Sequence, residues 1–191
     1  METKTALLLI DIQNDYFEGG TNPLEGSLEA GLNAQKLLSH FRKHSLPVIH
    51  IRHISNRPGS TFFLPDTEGA DIHQCVSPTG GEEIVRKHFP NSFFQTNLLN
   101  LLKSKEITNL VICGMMTHMC VDATVRAAKD LGYNSVLIED ACATKDLKFK
   151  ERTVKATDVQ IAFLSALAPF YSTVVSTEEY INTNSEKLYN V

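Results

Sequence analysis

Cysteine is the side chain with the most chemistry to offer in "GMMTHMCVDATVRAAKDLGY", and this stretch sets Cys120 where an apolar run gives way to a helical pattern. In mid-strand or mid-helix a cysteine reads as a small core residue. At a helix start it reads as a nucleophile, because the helix N-terminus and a nearby cation lower a thiol pKa that is ordinarily about 8.5. Lys87, at the end of "EEIVRK", is a candidate for that cation. Asp11 follows the apolar run "LLLI" and is a candidate base, since a carboxylate is expensive to bury unless it is paired or working. A thiol attacking an acyl carbon must lose a proton, and the departing amine must gain one. Asp11 can carry that proton both ways while Lys87 holds the carboxylate in place, which makes the three a Cys–Asp–Lys set for acyl transfer.

Those residues need elements to position them. "TALLLIDI" (5–12) reads as a buried strand, Ser27 to His44 as a helix with apolar Leu28, Leu32, Leu37, Leu38 and Phe41, and "LPVIHIRHI" (46–54) as a second strand. "EEIVRKHF" adds a strand that delivers Lys87. Beyond it, "TNLLNLLKSK" reads as a short helix, "NLVICG" as a strand, "MCVDATVRAAKDLG" as a helix closed by Gly132, and "NSVLIEDA" as a strand. A last helix from Glu151 to Leu167 and a strand from Tyr171 to Val175 complete the pattern. Apolar strands separated by helical crossovers predict an α/β protein: three layers, α/β/α, around a mainly parallel, Rossmann-like six-stranded sheet with ligands at the strands' carboxyl ends. One domain spans 1–191. Its rhythm breaks only at about 55–94, where Pro58, Pro65, Pro78 and Pro90 alternate with Gly59, Gly69, Gly80 and Gly81; a long loop of this kind usually lines a site.

Composition narrows the partners. With 191 residues, 42% hydrophobic and a net charge of -4, the chain has material for one core and no electrostatic footprint for nucleic acid or an anionic membrane. "ALLLI" is far too short to span a bilayer and "METKT" is not a secretory leader, so a cytoplasmic protein is expected. Its partners are then a small-molecule substrate and copies of itself, as a dimer or tetramer. Cys75, Cys113, Cys120 and Cys142 show no CxxC spacing and are expected as free thiols. His50 and His53 are an odd number of residues apart and point to opposite faces of a strand. No metal and no other cofactor is expected, with Asp71 and His73 as the alternative ligand pair.

"DIQNDYF", "KHFPNSFF" and "GMMTHMCV" occur in the order and spacing that resemble the isochorismatase-like cysteine hydrolase family, over nearly the whole chain. The resemblance implies that Asp11 is the base, Lys87 its charge partner and Cys120 the nucleophile. It also implies a cis peptide between Met115 and Met116, turning the Met116 amide, with that of Cys120, toward an oxyanion. His118 stands where the family usually has Asp or Asn. The metal-binding D-x-H pattern of nicotinamidase-like members is missing, and members that hydrolyse the isochorismate vinyl ether lack the cysteine. The resemblance is therefore to the amidase branch, which includes streptothricin hydrolases, and implies cleavage of an amide, ureide or lactam C–N bond through a thioester. Tyr16, Phe17, Phe93, Thr117 and His118 are expected to contact the substrate. A vinyl-ether hydrolase that kept its cysteine, and a non-catalytic thiol-bearing binding protein, are the competing readings.

Overall fold

The computed structural model describes residues 4–183 and Leu188. In chain order its elements are β1 (Thr5–Ile10), α1 (Ser27–Lys43), β2 (Val48–His53), β3 (Glu83–Lys87), α2 (Leu98–Ser104), β4 (Asn109–Met115), α3 (Asp122–Asp130), β5 (Asn134–Ala143), β6 (Leu147–Phe149), β7 (Arg152–Val154), α4 (Ala156–Leu167), β8 (Thr173–Val175) and α5 (Thr177–Asn182). Six strands form one parallel sheet in the order β3-β2-β1-β4-β5-β8. Helices flank it in a three-layer α/β/α arrangement. β4 is buried throughout and β1 everywhere but Thr5, which is why both read as unbroken apolar runs. No helix among the described residues is long and apolar enough to cross a membrane.

The strand order changes direction between β1 and β4. From β1 the chain proceeds to β2 and β3 on one side; from β4 it proceeds to β5 and β8 on the other. Loops leaving the carboxyl ends of these two central strands diverge and open a crevice, the usual ligand position in such sheets. Asp11 is the first residue after β1, and the turn bearing Cys120 follows β4. The two strands approach closely at Gly114, where φ is +134° and a Cβ would lie 2.0 Å from the carbonyl oxygen of Ile10. Only glycine fits there.

Polar clamps fix the edge strand and the long loop. Glu82, at the head of β3, accepts from Arg42 Nε and Nη2 of α1 at 2.7 and 2.9 Å and from the Thr79 amide at 2.9 Å. His50 Nε2 of β2 is 3.0 Å from the same carboxylate. Gln13 donates to the carbonyls of His53 and Ala70 and accepts from the His53 amide. Asp15 accepts from the Phe63 amide at 2.6 Å and from the Thr21 amide and hydroxyl. "DIQNDYF" thus encodes loop anchors beside its first aspartate.

Three parts of the sequence reading are corrected here. Of the apolar residues in the α1 pattern, Leu37, Leu38 and Phe41 are buried, while Leu28 and Leu32 are exposed. The last long helix begins at Ala156, not Glu151, because Arg152–Val154 pairs as β7 with β6, and Asp146 Oδ1 accepts from the Ala156 amide at 2.8 Å. α5 was not foreseen, although "STEEY" carries its signal: Ser176 and Glu179 form a reciprocal capping box.

Candidate active site

Asp11 sits at φ +50°, a left-handed conformation that aspartate tolerates better than most residues, as the chain turns out of β1. Its carboxylate Oδ2 lies 2.8 Å from Lys87 Nζ, and both side chains are 0% exposed. Lys87 reaches it from the end of β3 and donates a second bond to the Pro90 carbonyl at 2.8 Å. The segment after Lys87 is tied to the helix that follows Cys120, since the Ser92 amide and hydroxyl both meet Thr124 Oγ1 of α3, at 3.1 and 2.9 Å. The Cys120 sulfur lies within 4.8 Å of an Asp11 oxygen. Apart from the Lys87 ion pair, neither Asp11 oxygen has a hydrogen-bond partner among the described residues.

Cys120 is carried on a π-helical turn, Thr117–Val121, that follows β4 and runs into α3. The Met115–Met116 peptide is cis, and the Met116 carbonyl accepts from the amides of Met119 and Val121. Thr117 Oγ1 lies 2.6 Å from Gln160 Oε1 and 3.2 Å from the Ala143 carbonyl. Gln160 Nε2 donates in turn to the Glu139 and Cys142 carbonyls, so α4 and β5 hold the turn from behind.

An isochorismatase domain model matches residues 5–179. The chain belongs to the isochorismatase family. It is 49% identical over 177 residues to the uncharacterised isochorismatase-family protein YddQ of Bacillus subtilis, covering 93% of this chain and 98% of that one. It is also 34% identical to a streptothricin hydrolase of Streptomyces noursei, over 74% of this chain and 50% of that longer protein. Among solved structures, an isochorismatase from Pseudomonas putida KT2440 superposes with a TM-score of 0.86 at 35% identity, covering 92% and 89% of the two chains. A cysteine hydrolase from Pseudomonas syringae does so with 0.87 at 26%, covering 93% and 91%. The protein is an isochorismatase-family cysteine hydrolase.

In this isochorismatase-family site the thiol differs from the sequence expectation. A lowered pKa was anticipated, yet Cys120 is only 4% exposed, and burial followed by the Asp11 charge pushes its pKa well up, with Lys87 offsetting part of the rise. Position at a helix start does not outweigh desolvation beside a carboxylate. Burial alone would push the Lys87 ammonium down, but Asp11 and Cys120 more than compensate and hold it above the usual lysine value. These directions favour a protonated Cys120 thiol and a charged Lys87 ammonium side by side.

The other predicted residues divide. Tyr16 is buried against the cluster; burial, then the Cys120, Asp11 and Asp15 charges, raise its pKa well above the ordinary value. Thr117 supports the turn, and His118 Nδ1 lies 2.6 Å from Thr144 Oγ1. Phe17 stacks on His73 at 3.6 Å, and Phe93 stacks on Tyr133, so both rings are engaged outside the cluster. Asp71 pairs with Arg52, and His73 Nδ1 meets Cys75 Sγ, so each member of that alternative ligand pair is engaged with another residue.

The residue the sequence reading missed is His53. One ring nitrogen, a carboxylate oxygen of Asp11 and the Cys120 sulfur lie within 4.8 Å of one another, the only group of donors suited to a metal ion among the described residues. His50 does point the other way, to Glu82. The signal for His53 is its place at the carboxyl end of β2, beside Lys87 at the end of β3.

Proposed function

We propose that this hydrolase is a cysteine amidohydrolase that cleaves the C–N bond of a small amide, ureide or lactam through a thioester on Cys120. The observation that carries the reading is the Cys120 sulfur within 4.8 Å of an oxygen of the fully buried, Lys87-paired Asp11. A vinyl-ether hydrolysis has no use for a thiol held beside its base. The streptothricin hydrolase and a 29%-identical ureidoacrylate amidohydrolase of Rhizobium rhizogenes, covered over 70% of its length, are relatives whose names fit this class.

Because the thiol is neutral at rest, attack and deprotonation go together. Sγ bonds to the carbonyl carbon as its proton passes to Asp11, and the carbonyl π pair moves onto oxygen. The amides of Met116 and Cys120 are the donors assigned to that oxyanion. As the carbonyl re-forms, the C–N bond breaks and the leaving nitrogen takes the proton from Asp11. Water then adds to the thioester with Asp11 accepting its proton, the C–S bond breaks, and Asp11 returns the proton to sulfur. Lys87 remains an ammonium throughout, so the cluster never separates charge beyond the substrate oxygen.

A panel of small amides, ureides and lactams, assayed for ammonia or amine release with intact-mass trapping of an acyl adduct, tests this. The expected result is turnover with an adduct on Cys120, both abolished in Cys120→Ala. Cleavage of a vinyl ether that survives Cys120→Ala, with no C–N substrate turned over, would overturn the reading.

A further inference from the structure

His53 closes β2 and is the register partner of Lys87 in β3, so the two side chains leave the sheet on one face. Its backbone is pinned on both sides by Gln13, whose Oε1 accepts from the His53 amide at 2.7 Å and whose Nε2 donates to the His53 carbonyl at 2.9 Å. The ring packs against Phe63 with centroids 5.8 Å apart. Nδ1 is buried and has no hydrogen-bond partner. A half-buried imidazole pinned through its backbone, with a shielded and unpaired Nδ1 on a ring that reaches to within 4.8 Å of Asp11 and Cys120, is unusual, because an unmet polar group carries a desolvation penalty of about 1–3 kcal/mol.

Burial pushes the His53 pKa down, Asp11 opposes this, and Lys87 and His88 add to the lowering. The ring is neutral at pH 7, and a neutral imidazole offers one acceptor nitrogen. Lys87 pairs with Asp11 at 2.8 Å, and the Cys120 thiol lies within 4.8 Å of the same carboxylate, so the groups at Asp11 are a cation and a thiol. What the cluster otherwise lacks is an acceptor that is not itself the base.

We propose that His53 is the acceptor for an N–H on the scissile nitrogen, making this a site for amides, ureides or lactams that carry at least one hydrogen on the leaving nitrogen. This rests on the amidohydrolase reading and narrows its substrate class. In the tetrahedral intermediate the nitrogen lone pair faces Asp11 to receive the proton, while one N–H points to His53. In the second half-reaction water occupies the same place, one hydrogen going to Asp11 and the other directed at His53. No proton is transferred to His53 in either step. An ester or a fully substituted amide would leave the nitrogen buried and unpaired, and sites built around a hydrogen bond reject analogues that lack it.

The substrate is unidentified, so the test uses two alkylating probes differing in one group: N-methylchloroacetamide and methyl chloroacetate, with N–H replaced by oxygen. The rate of Cys120 alkylation by each is divided by its rate with free cysteine, and the amide-to-ester ratio is compared among wild type, His53→Phe and His53→Asn. The Asn carboxamide oxygen stands close to where Nδ1 was. The ratio is expected to be raised by about 5- to 100-fold in wild type, largely kept in His53→Asn, and reduced to that of free cysteine in His53→Phe. A wild-type ratio equal to that of free cysteine overturns the proposal without any variant, as does an equal ratio in all three proteins. If His53→Phe does not fold, His53→Leu is read in its place. Failure of the amidohydrolase reading would look different: a raised ratio in wild type, with no C–N substrate turned over.

Discussion

Replacing Lys87 with methionine removes a charge from a place where its partner has no water to turn to. The two side chains are fully buried and 2.8 Å apart. With an effective dielectric near 20, their gross attraction is about 6 kcal/mol, and breaking a buried pair by removing one member typically costs about 3–5 kcal/mol. In a domain of this size that is a fall of about 6–20 °C in melting temperature. The complete burial of Lys87 makes the cost one of folding as well as of activity. The double variant Asp11→Asn/Lys87→Met removes both charges and should recover most of the loss. Since the Lys87 pKa is raised in the folded state, its contribution is fully present below the unfolded lysine value of about 10.4 and is lost only as pH rises through the raised value. Urea denaturation of wild type, single and double variants at pH 6 to 9 should show a gap that does not vary with pH. A loss below about 1 kcal/mol in Lys87→Met, or a double variant no more stable than the single, would refute the account of the pair. Alkylation of Cys120 should also slow in Lys87→Met, because the ammonium lowers the thiol pKa.

Gly114→Ala should cost about 3 kcal/mol or more, or prevent folding, since the new Cβ meets the Ile10 carbonyl at a φ that alanine avoids; thermal melts check this, and a loss under about 1 kcal/mol contradicts it. Glu82 has its pKa lowered to about 2, first by Arg42. Its stabilisation is therefore present above the unfolded carboxylate value of about 4.3 and lost as pH falls toward 2. Glu82→Gln should lower stability at pH 7 and flatten the acid limb between those values, read by denaturation at stepped pH. Exhaustive chelation should leave activity unchanged; a loss restored by zinc, iron or manganese would show that Asp11, His53 and Cys120 hold an obligatory ion.

Asp11, Lys87 and Cys120 were legible in the sequence because each closes or follows an apolar strand, and in a parallel sheet those ends converge. His53 obeys the same rule and was passed over because it was weighed only as a metal ligand paired with His50. The neutral state of Cys120 was not legible at all. It depends on how completely β1, β3 and the turn after β4 exclude water, and on a carboxylate separated by more than a hundred residues coming within 4.8 Å of the sulfur. Phe17 looked like a pocket wall from its neighbours in the chain, but stacking on His73 is a contact between β1's loop and the long loop that no local pattern encodes. β7 falls inside the stretch read as helix and β6 goes unread before it, because three-residue strands carry too little periodicity to register.

The claim at the centre of this mechanism is that Cys120 rests as a thiol and gives its proton to Asp11 only on attack. Thiolate absorbance near 240 nm, taken as the difference between wild type and Cys120→Ser across pH 6 to 10, measures this directly. The account predicts no Cys120 thiolate at pH 7. In Asp11→Asn the thiolate should appear at lower pH than in wild type, because the charge that raises the thiol pKa is gone, even as C–N hydrolysis falls by about 10²-fold or more. A wild-type thiolate already formed at pH 7, unchanged or diminished by Asp11→Asn, would contradict it.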